Sequence, residues 1–127
     1  MQRVQSASPF ESRYGFCRAL RVGDRSEVAG TAPIGPDGQT WPGDAHAQAT
    51  RCFDIAREAI EALGGAMAGV VRTRMFITDA SDQDAIGRAH GEAFGEHPPV
   101  ATMVVVAALL DPAWTVEIEV EADVVAT

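Results

Sequence analysis

Residues 114–125 alternate strictly. Trp114, Val116, Ile118, Val120, Ala122 and Val124 occupy every second position, and Glu117, Glu119, Glu121 and Asp123 lie between them. Successive side chains of a β-strand point to opposite faces, so this stretch is expected to be a strand with one apolar and one acidic face. Residues 70–78 repeat the pattern, with Val71, Thr73, Met75 and Ile77 set against Arg72, Arg74 and Phe76. Residues 102–109 form a continuous apolar run, as expected of a strand covered on both faces. Together these segments require a sheet with one apolar face. Its other face must combine charge with an apolar strip.

The remaining segments supply what packs on that sheet. Residues 16–22 and 27–32 read as two short strands joined by the turn Val22-Gly23-Asp24-Arg25. Asp44 is placed to cap a helix that ends at Leu63, where Gly64 and Gly65 stop it. Ala49, Cys52, Phe53, Ala56, Ile60 and Leu63 share one face of that helix. Ser81 is the expected cap of a second helix over residues 82–94, with Ala85, Ile86, Ala89, Ala93 and Phe94 on its buried side and Pro98-Pro99 beyond it. The order is ββαβαββ, an α+β fold with one mixed sheet and two helices on one face, in a single domain spanning residues 1–127. Two helices cover only one face of such a sheet. The apolar strip on the other face therefore calls for self-association.

Charge narrows the function. The net charge is −8 and all ten basic residues are arginine, so Schiff-base chemistry on lysine and a Walker-type phosphate loop are excluded. An acidic surface repels phosphate backbones, and no nucleic-acid partner is expected. Arg13, Arg18, Arg21 and Arg25 are the one place where a local basic patch could form. Cys17 and Cys52 sit in apolar segments without metal-type spacing and read as reduced packing residues of a cytoplasmic protein. Charges at Arg3, Glu11, Arg13 and Arg18 interrupt the first twenty residues, so neither a signal peptide nor a membrane span is expected. His46, His90 and His97 share no ligand spacing, and no metal or cofactor is expected.

Several strings, in order, carry a resemblance. They are Tyr14-Gly15-Phe16, Val28-Ala29-Gly30-Thr31, residues 71–79, His90-Gly91-Glu92-Ala93-Phe94-Gly95, Pro99-Val100-Ala101-Thr102 and Val116-Glu117-Ile118-Glu119. In combination they resemble the Rid family (reactive intermediate deaminases, YjgF-like, with relatives labelled L-PSP endoribonucleases) over nearly the whole chain. The resemblance implies a chorismate-mutase-like fold, a homotrimer, and small-molecule clefts between subunits where enamines and imines are hydrolysed to ketoacids and ammonia. One position departs from the pattern. Deaminating members carry a Pro-Ala-Arg-Ser loop whose arginine grips the substrate carboxylate at two points, and here that position is Ala101.

The resemblance also nominates residues. Glu117 matches the acid that positions the hydrolytic water and is the catalytic candidate; as a plain surface residue it would belong to an arginine-paired row. Tyr14 matches a pocket tyrosine, or is an amphipathic edge residue. Gly30, with Thr31 beside it, falls where backbone approaches the ligand, or is a strand bulge. Ala101 and Thr102 would line the cleft at the altered loop. Arg74 is a substitute cation or a cross-strand partner of Glu117 or Glu119. His90 is a ligand contact or a half-buried helix residue. Two function classes follow: a hydrolase of a small imine, enamine or related C–N compound, and a non-catalytic small-molecule-binding or structural trimer. Endoribonuclease activity is third, disfavoured by charge.

Overall fold

The computed structural model describes residues 1–124. The strands are β1 Gln2–Val4, β2 Ala19–Val22, β3 Arg25–Thr31, β4 Val70–Ile77, β5 Val100–Val105 and β6 Val116–Asp123. They form one six-stranded sheet in the order β1-β2-β3-β6-β4-β5. The helices are α1 Phe10–Tyr14, α2 Ala45–Ala62 and α3 Gln83–Phe94. From β2 onward the order is the expected ββαβαββ. The buried residues of α2 and α3 join those of the strands in one core. All strand pairs are antiparallel except β4 with β5, which α3 connects in parallel. No helix among the described residues is long and apolar enough to cross a membrane.

β6 is central because of its alternation. It pairs with β3 on one side and β4 on the other, and Val116, Ile118, Val120 and Ala122 are at most 1% exposed beneath the helices. Trp114 is buried just before the strand begins, and Val125 lies outside the described residues. α2 is built as its sequence indicates. Asp44 Oδ1 accepts a hydrogen bond from the Ala47 N–H at 2.9 Å. At the other end Gly64 takes φ +89°, and the Gly64 and Gly65 amides donate to the carbonyls of Glu61 and Ile60. This Schellman closure needs a residue that tolerates the left-handed region.

Five expectations require correction. β1 and α1 were not anticipated, being only 3 and 5 residues long, too short for periodicity to reveal. β2 begins at Ala19 rather than residue 16, because α1 and the turn after it occupy the chain up to that point. Ser81 does not cap α3. Its backbone and hydroxyl both donate to Asp79, in a 3-10 turn over Ala80–Asp82, because the carboxylate two residues upstream is the stronger acceptor. Val71 is not on the core face, since a register shift between Val70 and Arg72 turns Val70 inward (5% exposed) and Val71 outward (38%). The apolar run forms strand over Val100–Val105 rather than residues 102–109, and that strand is an edge of the sheet. Met103 packs on the core, whereas Val100, Val104 and Val105 are 58, 43 and 55% exposed.

The helix-free face carries three cross-strand rows. Glu117, Phe76 and Val104 are neighbours across β6, β4 and β5; Glu119, Arg74 and Thr102 form the next row, and Glu121, Arg72 and Val100 the last. The bulge at Val71 has a direct test. Val70→Ala should cost about 2 kcal/mol through lost apolar burial and the residual cavity, and Val71→Ala no more than about 0.5 kcal/mol. Urea unfolding of the two variants measures the difference.

Candidate functional site

A small pocket of about 90 Å³ opens where the N-terminal segment crosses the end of β3 and the start of β6. Phe10, Tyr14 and Phe16 form one wall, Leu110 and Trp114 another, and Gly30, Thr31 and Glu117 line it from the sheet. Four residues nominated from sequence thus come together: Tyr14, Gly30, Thr31 and Glu117.

Gly30 and Glu117 depend on each other. β3 shifts register between Val28 and Thr31, and the irregularity brings the Gly30 backbone beneath the Glu117 carboxylate. A Cβ at position 30 would stand 2.5 Å from Glu117 Oε1, inside contact distance, so glycine is what lets the carboxylate lie there. Burial raises the Glu117 carboxyl above the ordinary carboxylate range; Arg18 acts against that shift and Glu119 adds to it. Tyr14 is 64% exposed at the mouth and stacks on Phe10, with ring centroids 5.9 Å apart. Phe10 meets Trp114 edge-on at 6.0 Å, so the aromatic wall is anchored to a buried residue.

Arg18, one of the four arginines where a local basic patch could have formed, is instead the pocket's buried cation. It is 4% exposed and its Nε donates to Glu11 Oε2 at 3.1 Å. Its Nη1 donates to the Gly30 carbonyl at 2.6 Å and to Thr31 Oγ1 at 3.0 Å. Glu11 is itself buried and accepts from the Ser6 backbone N–H and the Ser6 hydroxyl. The remaining arginines of the supposed patch are also engaged or apart. Arg21 donates to the Gly23 and Leu63 carbonyls, Arg25 pairs with Glu27 and Glu121, and Arg13 lies over Phe10 and Tyr14. The only hint in the sequence was an acid and a base seven residues apart, Glu11 and Arg18.

The other nominated residues lie elsewhere in the chain. Arg74 is on the helix-free face, 3.0 Å from Glu121 and 3.6 Å from Glu119; the expected partner Glu119 is present, but Glu117 is not, because Phe76 stands opposite it. His90 Nε2 lies 2.7 Å from Thr73 Oγ1, its ring packs among Phe53 and Phe94, and burial lowers its pKa below the usual value. Ala101 and Thr102 are exposed on edge strand β5, level with Thr73 and Arg74.

The raised Glu117 carboxyl makes stability pH-dependent. In the folded protein it holds its proton above the pH at which the unfolded chain releases it. Its contribution to stability is therefore largest below the ordinary carboxylate pKa and falls as pH rises through the folded value. Glu117→Gln, which cannot ionise, should remove that loss. Urea midpoints of wild type and variant should diverge in the variant's favour as pH is raised from 4.5 toward neutrality.

Comparison with known proteins places the chain. Residues 6–124 match the family described as Endoribonuclease L-PSP. An uncharacterised Streptomyces coelicolor protein is 43% identical over 122 residues, covering 96% of this chain and 91% of the relative. The Escherichia coli 2-iminobutanoate/2-iminopropanoate deaminase is 28% identical over 110 residues, 84% of each. The crystal structure of a Mycobacterium tuberculosis member of the YjgF/YER057c/UK114 family aligns with a TM-score of 0.87 at 39% identity, over 96% of this chain and 98% of that one. With the matching strings, the matching sheet and helices and a family match from end to end, the chain belongs to the YjgF, or L-PSP, family.

Proposed function

We propose that the protein is a cytoplasmic homotrimer that binds a small C–N metabolite in the Glu117 pocket and hydrolyses it, with Glu117 as acid and base. The observation that carries this reading is a desolvated carboxylate over bare glycine backbone in an aromatic-walled pocket. A carboxyl whose pKa burial raises above its ordinary value holds a proton more readily and can serve as both base and acid. Water adds to the iminium carbon as its proton passes to Glu117, forming the C–O bond. The proton then goes to nitrogen, the C–N bond breaks, and the hydroxyl proton leaves with ammonia as ammonium, giving the carbonyl product. Tyr14, at the mouth, orients the ligand. The name of the Escherichia coli relative, an imino-acid deaminase, supports the reaction type.

A non-catalytic binding trimer is the second reading, favoured by Ala101 standing where the resemblance expects a carboxylate-gripping arginine. Cleavage of RNA, which the family's description raises, is opposed by the net charge of −8 and by the engagement of the N-terminal arginines. Ala101, Thr102 and Arg74 are assigned to the surface that neighbouring subunits share.

Two experiments test the proposal. Apolar side chains exposed along β5 should be covered by association, so sedimentation equilibrium at micromolar concentration should give three times the 13.4 kDa chain mass; a monomer would remove the shared surface. Ammonia release should be followed from a panel of freshly generated imines, with and without a carboxylate. Acceleration of at least one, reduced about 10²- to 10⁴-fold by Glu117→Gln, is expected. A panel untouched by the wild-type trimer would leave the binding reading.

A further inference from the structure

The charges lining the pocket restrict what it can hold. Among the described residues that line it, Arg18 and Glu117 carry the charged side chains. A two-point grip on a carboxylate needs two parallel N–H donors on one edge of a guanidinium. Both usable edges of Arg18 are already broken into: Nε serves Glu11, and Nη1 serves Gly30 and Thr31. Only Nη2 has no hydrogen-bond acceptor among the described residues. The charge of Arg18 is also balanced, since Glu11 lies 3.1 Å away and both side chains are buried. Within one chain, an ionised Glu117 therefore leaves the end of the pocket at the sheet with a net negative charge. Arg13 lies over the Phe10 ring at 5.4 Å but does not line the pocket. The walls are flat and apolar, made by Phe10, Tyr14, Phe16, Leu110 and Trp114.

We infer that the pocket selects small, flat, apolar compounds that carry a cationic C–N group and no carboxylate, with the nitrogen on Glu117 and the apolar body against the aromatic wall. A carboxylate entering there would meet Glu117, and the two N–H groups left on Arg18 Nη2 diverge to different edges of the guanidinium, so they cannot grip it in parallel. An iminium or amidinium nitrogen instead donates a charge-assisted hydrogen bond to the carboxylate. This deepens the proposed function by naming the substrate class: imines of carboxylate-free carbonyl compounds rather than imino acids. It rests on the reading of the Glu117 pocket as the binding site.

Benzamidine and benzoate provide the test. They share a ring and a planar head group, differ in the sign of their charge, and benzamidine resembles a protonated imine without being readily hydrolysed. Titration calorimetry on the full-length wild-type protein at pH 7.5 should show benzamidine binding at least tenfold tighter than benzoate. The preference should be lost in Glu117→Gln, and benzamidine affinity should fall several-fold in Tyr14→Ala, a surface substitution that leaves the core intact. Benzoate binding as tightly as benzamidine, neither compound binding, or benzamidine binding unchanged by both substitutions would each overturn the inference. The imine panel keeps the two claims apart. Hydrolysis of amino-acid-derived imino acids by a protein that does not prefer benzamidine would uphold the proposed reaction and refute this selectivity. Selective benzamidine binding with no imine hydrolysed would do the reverse.

Discussion

The guanidinium of Arg18 is enclosed by protein and bonded from three directions: Glu11 on the N-terminal segment, the Gly30 carbonyl in the irregular part of β3, and the Thr31 hydroxyl beside it. Those bonds tie the N-terminal segment to the sheet. Phe10, Tyr14 and Phe16 follow from that tie, because they stand between Ser6 and Arg18 and reach the pocket only while Glu11 is anchored. A buried ion pair adds little net stability over a well-packed apolar pair, but losing one partner strands the other and costs about 3–5 kcal/mol. The pair therefore acts as a fixed point of geometry. It holds the Gly30 carbonyl in place, and with it the backbone on which the Glu117 carboxylate rests.

The sheet has two unlike faces and the site lies where they meet. Helices α2 and α3 take the apolar residues of β3, β4 and β6. The opposite face carries ordered rows of glutamates and arginines, with Arg72, Arg74 and Arg25 all drawn toward Glu121. Glu117 departs from that arrangement. Its cross-strand neighbour is Phe76 rather than an arginine, so its carboxylate is free of the surface network. One position in an otherwise regular acidic row thus becomes the chemically distinct one.

Much of this was legible in the sequence. Alternation over residues 114–125 located the strand that became central, and Asp44 with Gly64-Gly65 bracketed α2 to within a residue. These signals are local: a period of two, a cap and a glycine stop each depend on neighbours in the chain. Val71 was misplaced because a bulge alters periodicity by one residue and leaves no compositional trace. Ser81 was misassigned because Asp79 competes for the same turn. Of the residues that line the pocket, Tyr14, Gly30, Thr31 and Glu117 were nominated through family strings. Arg18 was not, because its role depends on Glu11 and on a β3 carbonyl twelve residues away, a three-way meeting that no spacing encodes. For His90 the helix's apolar face left a ligand contact or a half-buried helix residue open, and its contacts with Thr73, Phe53 and Phe94 place it as the second.

Among the described residues strand β5 is hydrogen-bonded to β4 alone, so half of its backbone groups point away from the sheet. Amides directed at β4 are protected by the ladder, and those directed outward exchange with solvent unless something lies against the edge. The strand therefore records its own surroundings. Along Val100–Val105, deuterium uptake alternating from residue to residue is the signature of a bare edge, and uniform protection is that of a covered one. An assembly that forms and dissociates would show both patterns in proportion to its lifetime, without any label or substitution in the chain.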